Sequence, residues 1–263
     1  MNILSYAFPG CSGVFRHGQS CALAEQFELS HCASRFVATV CRSLHTGNVE
    51  TENIILSGRR VRLEPLNHSH VDGLVAASAV DQFPDASSRL YQWSPVPQGK
   101  DEAVRYVDTT LAWLQAGTAV SFATIRMADN VVIGSTRFFN IERWAWPAGH
   151  PLHGRSTPDA CEIGYTWLSR AAIRTGANTE AKLLMLTHAF ETWNVLRVCL
   201  HTDIRNARSR AAIERIGGKF EGILRAHRMA ADFIARDSAR YSMVAAEWPD
   251  VKQRLSELVD RER

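Results

Sequence analysis

Ile173-Arg174-Thr175-Gly176-Ala177-Asn178-Thr179-Glu180-Ala181-Lys182 joins two stretches of different periodicity, and that join decides the fold. Upstream, Cys161-Glu162-Ile163-Gly164-Tyr165-Thr166-Trp167-Leu168 is apolar and aromatic and reads as a buried strand. Downstream, Leu183, Leu186, Phe190 and Trp193 fall on one face at helical spacing. A strand, a turn at Gly176 and a helix opening at Asn178 or Thr179 gather free backbone N–H groups at one point. The helix dipole adds partial positive charge there, which makes an anion site. Arg174 supplies a formal charge beside it. A bound pyrophosphate suits this arrangement, although a single glycine between strand and helix also serves merely to reverse a chain.

A second strand and helix follow. Leu196-Arg197-Val198-Cys199-Leu200-His201-Thr202 has strand character, and Asn206 caps a helix that Gly217 or Gly218 stops. Glu221-Gly222-Ile223-Leu224-Arg225 then leads to a last strand near residues 240–245. Earlier in the chain, residues 57–66 alternate as a first strand, and residues 70–80 and 100–115 read as helices joined by a Pro- and Ser-rich loop over residues 83–98. Residues 119–126 and 131–138 form a hairpin around Asp129-Asn130. A long irregular loop carrying Trp144, Trp146 and His153 precedes the strand at Cys161.

Glu162-Ile163-Gly164-Tyr165, the Gly176 turn, Asn206-x-x-Ser209 and Glu221-Gly222-x-Leu224-Arg225, in this order and spacing, resemble the GNAT N-acetyltransferases, most closely the RimJ/RimL-like group. The resemblance spans roughly residues 57 to 250. It implies an α/β (α+β) fold: a mixed central sheet of about six to seven strands, splayed between the fourth and fifth and flanked by helices. It also implies acetyl-CoA as acetyl donor and an amine as acceptor, either a protein N-terminus or a small molecule. Two positions depart from the family's phosphate loop, which reads Gln/Arg-x-x-Gly-x-Gly/Ala. Ile173 stands first and Asn178 last; the loop binds mainly through backbone N–H groups, which neither change removes.

The same resemblance assigns site residues. Arg174, Thr175, Gly176, Ala177, Asn178 and Thr179 would hold the pyrophosphate. The pantetheine would lie between the fourth and fifth strands, with backbone N–H groups near Leu168 facing the thioester oxygen and Asn206 either only capping its helix or also bonding the pantetheine amide. Ser209 would protonate the departing thiolate, or be an ordinary helix serine. Relatives often carry a glutamate where Arg228 stands, so the base is Glu162 acting through water, or His227, which strand alternation points away from residue 228. Glu162 could instead orient a neighbouring arginine. Trp144, Trp146 and His153 would wall the acceptor site, or belong to a surface loop without that role.

The whole chain bounds the rest. Its 263 residues, 46% hydrophobic, suffice for one α/β domain over residues 57–263, ending in a C-terminal helix, after an extension over residues 1–56. A net charge of +3 with scattered arginines gives no nucleic-acid footprint. No apolar run has membrane-spanning length, and no secretory signal is visible, so a cytoplasmic protein is expected. Cys11, Cys21, Cys32 and Cys41 match no zinc spacing, and no metal is expected. A homodimer is left open. The alternative reading is a catalytically silent acyl-CoA-binding protein of the same fold.

Overall fold

The computed structural model describes residues 54–79, 93, 96–230 and 233–261. The expected N-terminal extension, with its four cysteines, lies outside the described residues up to residue 53, as does most of the loop over residues 83–98. Eight strands follow in chain order: β1 (Leu56–Ser57), β2 (Val61–Pro65), β3 (Ala119–Arg126), β4 (Val131–Glu142), β5 (Ala160–Leu168), β6 (Arg197–Asp203), β7 (Lys219–Met229) and β8 (Ala235–Val244). The α-helices are α1 (Val71–Ser78), α2 (Gly99–Gln115), α3 (Ala177–Thr187), α4 (Ala207–Arg215) and α5 (Trp248–Arg261).

The strands make one mixed sheet in the order β1-β2-β3-β4-β5-β6-β8-β7. Its parallel pair is β5 with β6, as a strand–helix–strand connection through α3 requires. The expected architecture is therefore present. The strand beyond the expected seven is the two-residue β1, where Leu56 pairs with Leu63, and Ile54 just before it is buried in the core.

Alternation along the strands feeds two cores. Val61, Leu63, Phe122, Phe138 and Ile163 pack with Met185 and Leu186 of α3 and Leu255 of α5. Ala123, Ile125 and Trp167 meet Leu74 of α1 and Ala103 and Val107 of α2 in a second cluster. The helical face read from the sequence is present, with Leu186, Phe190 and Trp193 buried and Leu183 half-buried. Past Thr187 it continues through one π-type turn, His188–Thr192.

Two contacts fix where α3 begins. Glu180, 3% exposed, accepts the backbone N–H groups of Arg59 (3.0 Å), Arg60 (2.6 Å) and Val61 (2.9 Å). This ties the entry to β2 to the first turn of the helix. Gly176, with φ of 77°, is the N-cap and accepts from Glu180 N, so the helix opens at Ala177, slightly earlier than its sequence suggested. A left-handed cap favours glycine, whereas the side chain of Asn178 makes no capping bond.

Candidate functional site

The ladder between β5 and β6 is short. Ala160, Cys161 and Glu162 pair with Arg197, Val198 and Cys199, and there the pairing stops. A bulge explains the divergence. Opposite Ser135–Arg137 of β4, β5 carries one extra residue, and Tyr165 takes φ of 50°. An extra residue bends its strand and increases the local twist, so β5 leaves β6 while staying paired with β4. Gly134 makes that bend possible: a Cβ there would stand 2.0 Å from the Trp167 carbonyl oxygen. Residues 163–168 and 200–202 then line the two sides of a cavity of about 510 Å³, with Ile213 and Ile216 of α4. The β6-facing edge of β5 is left with backbone donors and acceptors to offer.

One end of the cavity is the start of α3. Gly176, Asn178 and Thr179 line it, and the first N–H groups of the helix have no intrahelical acceptor. The Asn178 Oδ1 is buried without a partner. Arg174, Arg208 and Arg215 also line the cavity, and Arg215 reaches from α4 to donate to Thr179 Oγ1 at 3.0 Å. Free N–H groups, a helix dipole and guanidiniums together suit a polyanion. Asn206 caps α4 by accepting from Ser209 N at 3.0 Å, and both residues line the cavity.

The other end holds a buried polar cluster. Glu162, 4% exposed, accepts from Asn140 Nδ2 (2.9 Å) and Arg228 (3.2 Å) at Oε2. Its Oε1 lies 2.8 Å from His201 Nδ1, close but off the hydrogen-bond direction. The His201 and His227 rings are 5.2 Å apart. Bulges aim these groups: Asn140 (φ 46°) and Ala226 (φ 47°) are left-handed, each beside a register shift. The shift in β7 corrects the simple alternation expected at residues 227 and 228, because both side chains reach the same cluster. Burial first, then Arg228, His201 and Arg236, hold the His227 imidazole below its ordinary proton affinity.

Lys182 lies in the wall between these ends. It is 5% exposed and donates to Thr166 Oγ1 (2.7 Å) and Thr136 Oγ1 (3.0 Å), with no carboxylate pair among the described residues. Burial lowers its pKa to about 7. Cys161 and Cys199 are buried free thiols, and burial pushes that of Cys161 far up, which makes it unreactive. Among the described residues no group of three or more His, Cys, Asp or Glu side chains could hold a metal ion.

Of the residues singled out in the sequence, Glu162, Leu168, Arg174, Gly176, Asn178, Thr179, Asn206 and Ser209 line this one cavity. His227 stands behind His201. Thr175 and Ala177 line a smaller cavity of about 350 Å³ with Arg59, Arg60 and Arg126. Trp144, Trp146 and His153 are not brought to the main cavity. Their loop is pinned to Asp159, 1% exposed, which accepts from Trp144 N (2.7 Å) and Trp146 Nε1 (2.9 Å). Trp146 stacks on His150, and its carbonyl oxygen lies 2.7 Å from His153 Nδ1.

Sequence reasoning missed His201, Lys182 and Arg215. His201 sits where strand alternation makes it equally a core residue. Lys182 shares the buried stripe of Ala181, Met185 and Leu186, and that spacing was the available signal.

Known proteins match this architecture. The family described as acetyltransferase (GNAT) domain matches residues 60–219. A segment of 91 residues is 34% identical to YdaF of Bacillus subtilis, whose name places it among ribosomal N-acetyltransferases; it covers 35% of this chain and about half, 49%, of that protein. A GCN5-related N-acetyltransferase from Brucella melitensis superposes with a TM-score of 0.65 at 30% identity, over 79% of this chain and 86% of that one. Mycobacterium smegmatis RimJ, solved with a CoA-disulfide, shares the fold with a TM-score of 0.62 at 21% identity, over 79% and 96% of the two chains.

Proposed function

Since this chain belongs to the acetyltransferase (GNAT) family, we propose that it transfers an acetyl group from acetyl-CoA directly to a primary amine. The observation that carries the reading is the ladder that ends at Glu162 and Cys199 and opens into a cavity reaching the start of α3. An extended chain with amide groups, such as pantetheine, can supply the hydrogen bonds that β5 no longer makes to β6. Its pyrophosphate would meet the N–H groups of residues 177–179 and the guanidiniums of Arg174 and Arg215.

The chemistry follows from that placement. A backbone N–H on the exposed edge of β5 polarises the thioester carbonyl. The amine nitrogen, once neutral, attacks the carbonyl carbon; the C–N bond forms, the C–S bond breaks and CoA leaves as the thiolate. Ser209, at the start of α4 and in the cavity lining, would share the protonation of sulfur with water. The direct route suits a site whose lining holds no cysteine among the described residues, Cys161 being buried in the core with its thiol held protonated. The name of YdaF, a ribosomal N-acetyltransferase, favours amino groups of ribosomal proteins as acceptors over small amines.

The test is release of CoA thiol from acetyl-CoA with peptides bearing free N-termini and, separately, with small alkyl amines. Amine-dependent release supports the reading. Tight CoA binding without release to any amine would identify a silent acyl-CoA-binding protein instead.

A further inference from the structure

His201 is the one imidazole that lines the cavity among the described residues, and its setting is specific. Its side chain is 6% exposed, and neither ring nitrogen has a hydrogen-bond partner within the fold. Glu162 divides its two oxygens. Asn140 and Arg228 occupy Oε2, which leaves Oε1 facing His201 Nδ1 at 2.8 Å. A small rotation of either group makes Nδ1–H the donor to that carboxylate. Nε2 then carries the lone pair without a protein partner; it is buried in this structure, and the same rotation has to turn it toward the cavity that His201 lines just beyond the last paired residues of β5 and β6.

We propose that His201 Nε2 accepts the proton of the incoming amine and that Glu162 is the positioning residue that sets its tautomer. The proposal rests on the acetyl-transfer reading above. The arriving ammonium gives one proton to Nε2, and Nδ1–H remains on Glu162, so the carboxylate stabilises the imidazolium that forms. The neutral amine attacks the thioester carbon, CoA leaves as thiolate, and the second amine proton passes to sulfur. The imidazolium returns its proton to solvent. The products are the amide, CoA thiol and one proton.

Glu162 alone is a poorer choice for that task, since its Oε2 is held by Asn140 and Arg228 and its Oε1 faces His201. The other groups around the ring are His227 and Arg228 from β7 and Arg236 and Arg240 from β8, with Arg240 directly opposite His201 in the ladder. The three arginines are cations.

The experiment compares wild type with His201→Gln and His201→Asn, using thiol release to a peptide with a free N-terminus and to a weakly basic aryl amine that is already neutral. With the peptide, kcat should fall roughly 100-fold or more, the contribution of a general base. With the aryl amine the defect should shrink to within about tenfold, because no proton need be removed before attack and the one lost afterwards passes to sulfur. Calorimetric CoA affinity verifies that both variants are folded. Equal losses with both amines overturn the role of His201. Absence of thiol release by the wild type with either amine would instead overturn the acetyl-transfer reading itself.

Discussion

Lys182→Met should stabilise the protein, and the gain should depend on pH. The wild-type ammonium is 5% exposed and bonded only to two threonine hydroxyls, so its charge is poorly compensated. Burial lowers its pKa from 10.5 to about 7. The unfolded chain therefore binds more protons between those values, and stability rises as pH climbs from about 7 toward 10.5. At about 1.4 kcal/mol for each tenfold change in proton affinity, the penalty is about 5 kcal/mol at pH 6 and about 2 kcal/mol at pH 9. Methionine removes it and gives up two hydrogen bonds of about 1 kcal/mol each. Thr136 and Thr166 keep each other as partners at 2.8 Å. The variant should thus be about 3 kcal/mol more stable at pH 6, with a lead about 3 kcal/mol smaller at pH 9. Urea denaturation of both proteins across this range measures it. A gap that does not change with pH, or a variant less stable at pH 6, would refute the reasoning, because Lys182 would then be well solvated in the cavity.

The remaining predictions concern the backbone and acid stability. Gly134→Ala sets a Cβ against the Trp167 carbonyl and should cost about 3–5 kcal/mol, read as a fall in melting temperature with loss of CoA affinity. Glu180→Ala removes the acceptor of three backbone N–H groups and should cost about 3 kcal/mol or more in urea denaturation, whereas a surface carboxylate such as Glu257 should tolerate alanine. Burial depresses the proton affinity of His188 below its ordinary value, so the unfolded chain protonates first and stability falls as pH drops below about 6.5. His188→Phe should lessen that acid loss in melts between pH 7 and pH 5; an unchanged slope would show that other groups carry it.

Much of this fold was legible because its signals are local. The strand β3 ends where its composition changes, Asn206 caps α4 through Ser209 N, and Gly176 turns the chain into α3. The strand–turn–helix reading therefore located one end of the cavity. The other end was illegible because Asn140, Tyr165 and Ala226 take left-handed conformations that ordinary residues adopt only when the surrounding structure imposes them. Those bulges bring Glu162, His201, His227 and Arg228 together from three strands, and strand alternation alone sends residues 227 and 228 apart. Lys182 illustrates another limit: a lysine two residues after Glu180 looks like a surface residue until the apolar stripe around it is counted.

A crystal structure with bound CoA tests the central claim most directly. Pantetheine should lie between residues 164–168 of β5 and 200–202 of β6, supplying the ladder bonds missing past Glu162 and Cys199, with the pyrophosphate at residues 176–179. Coenzyme A seated instead in the cavity of Arg59, Arg60 and Arg126, with β5 and β6 closed on each other, would contradict it.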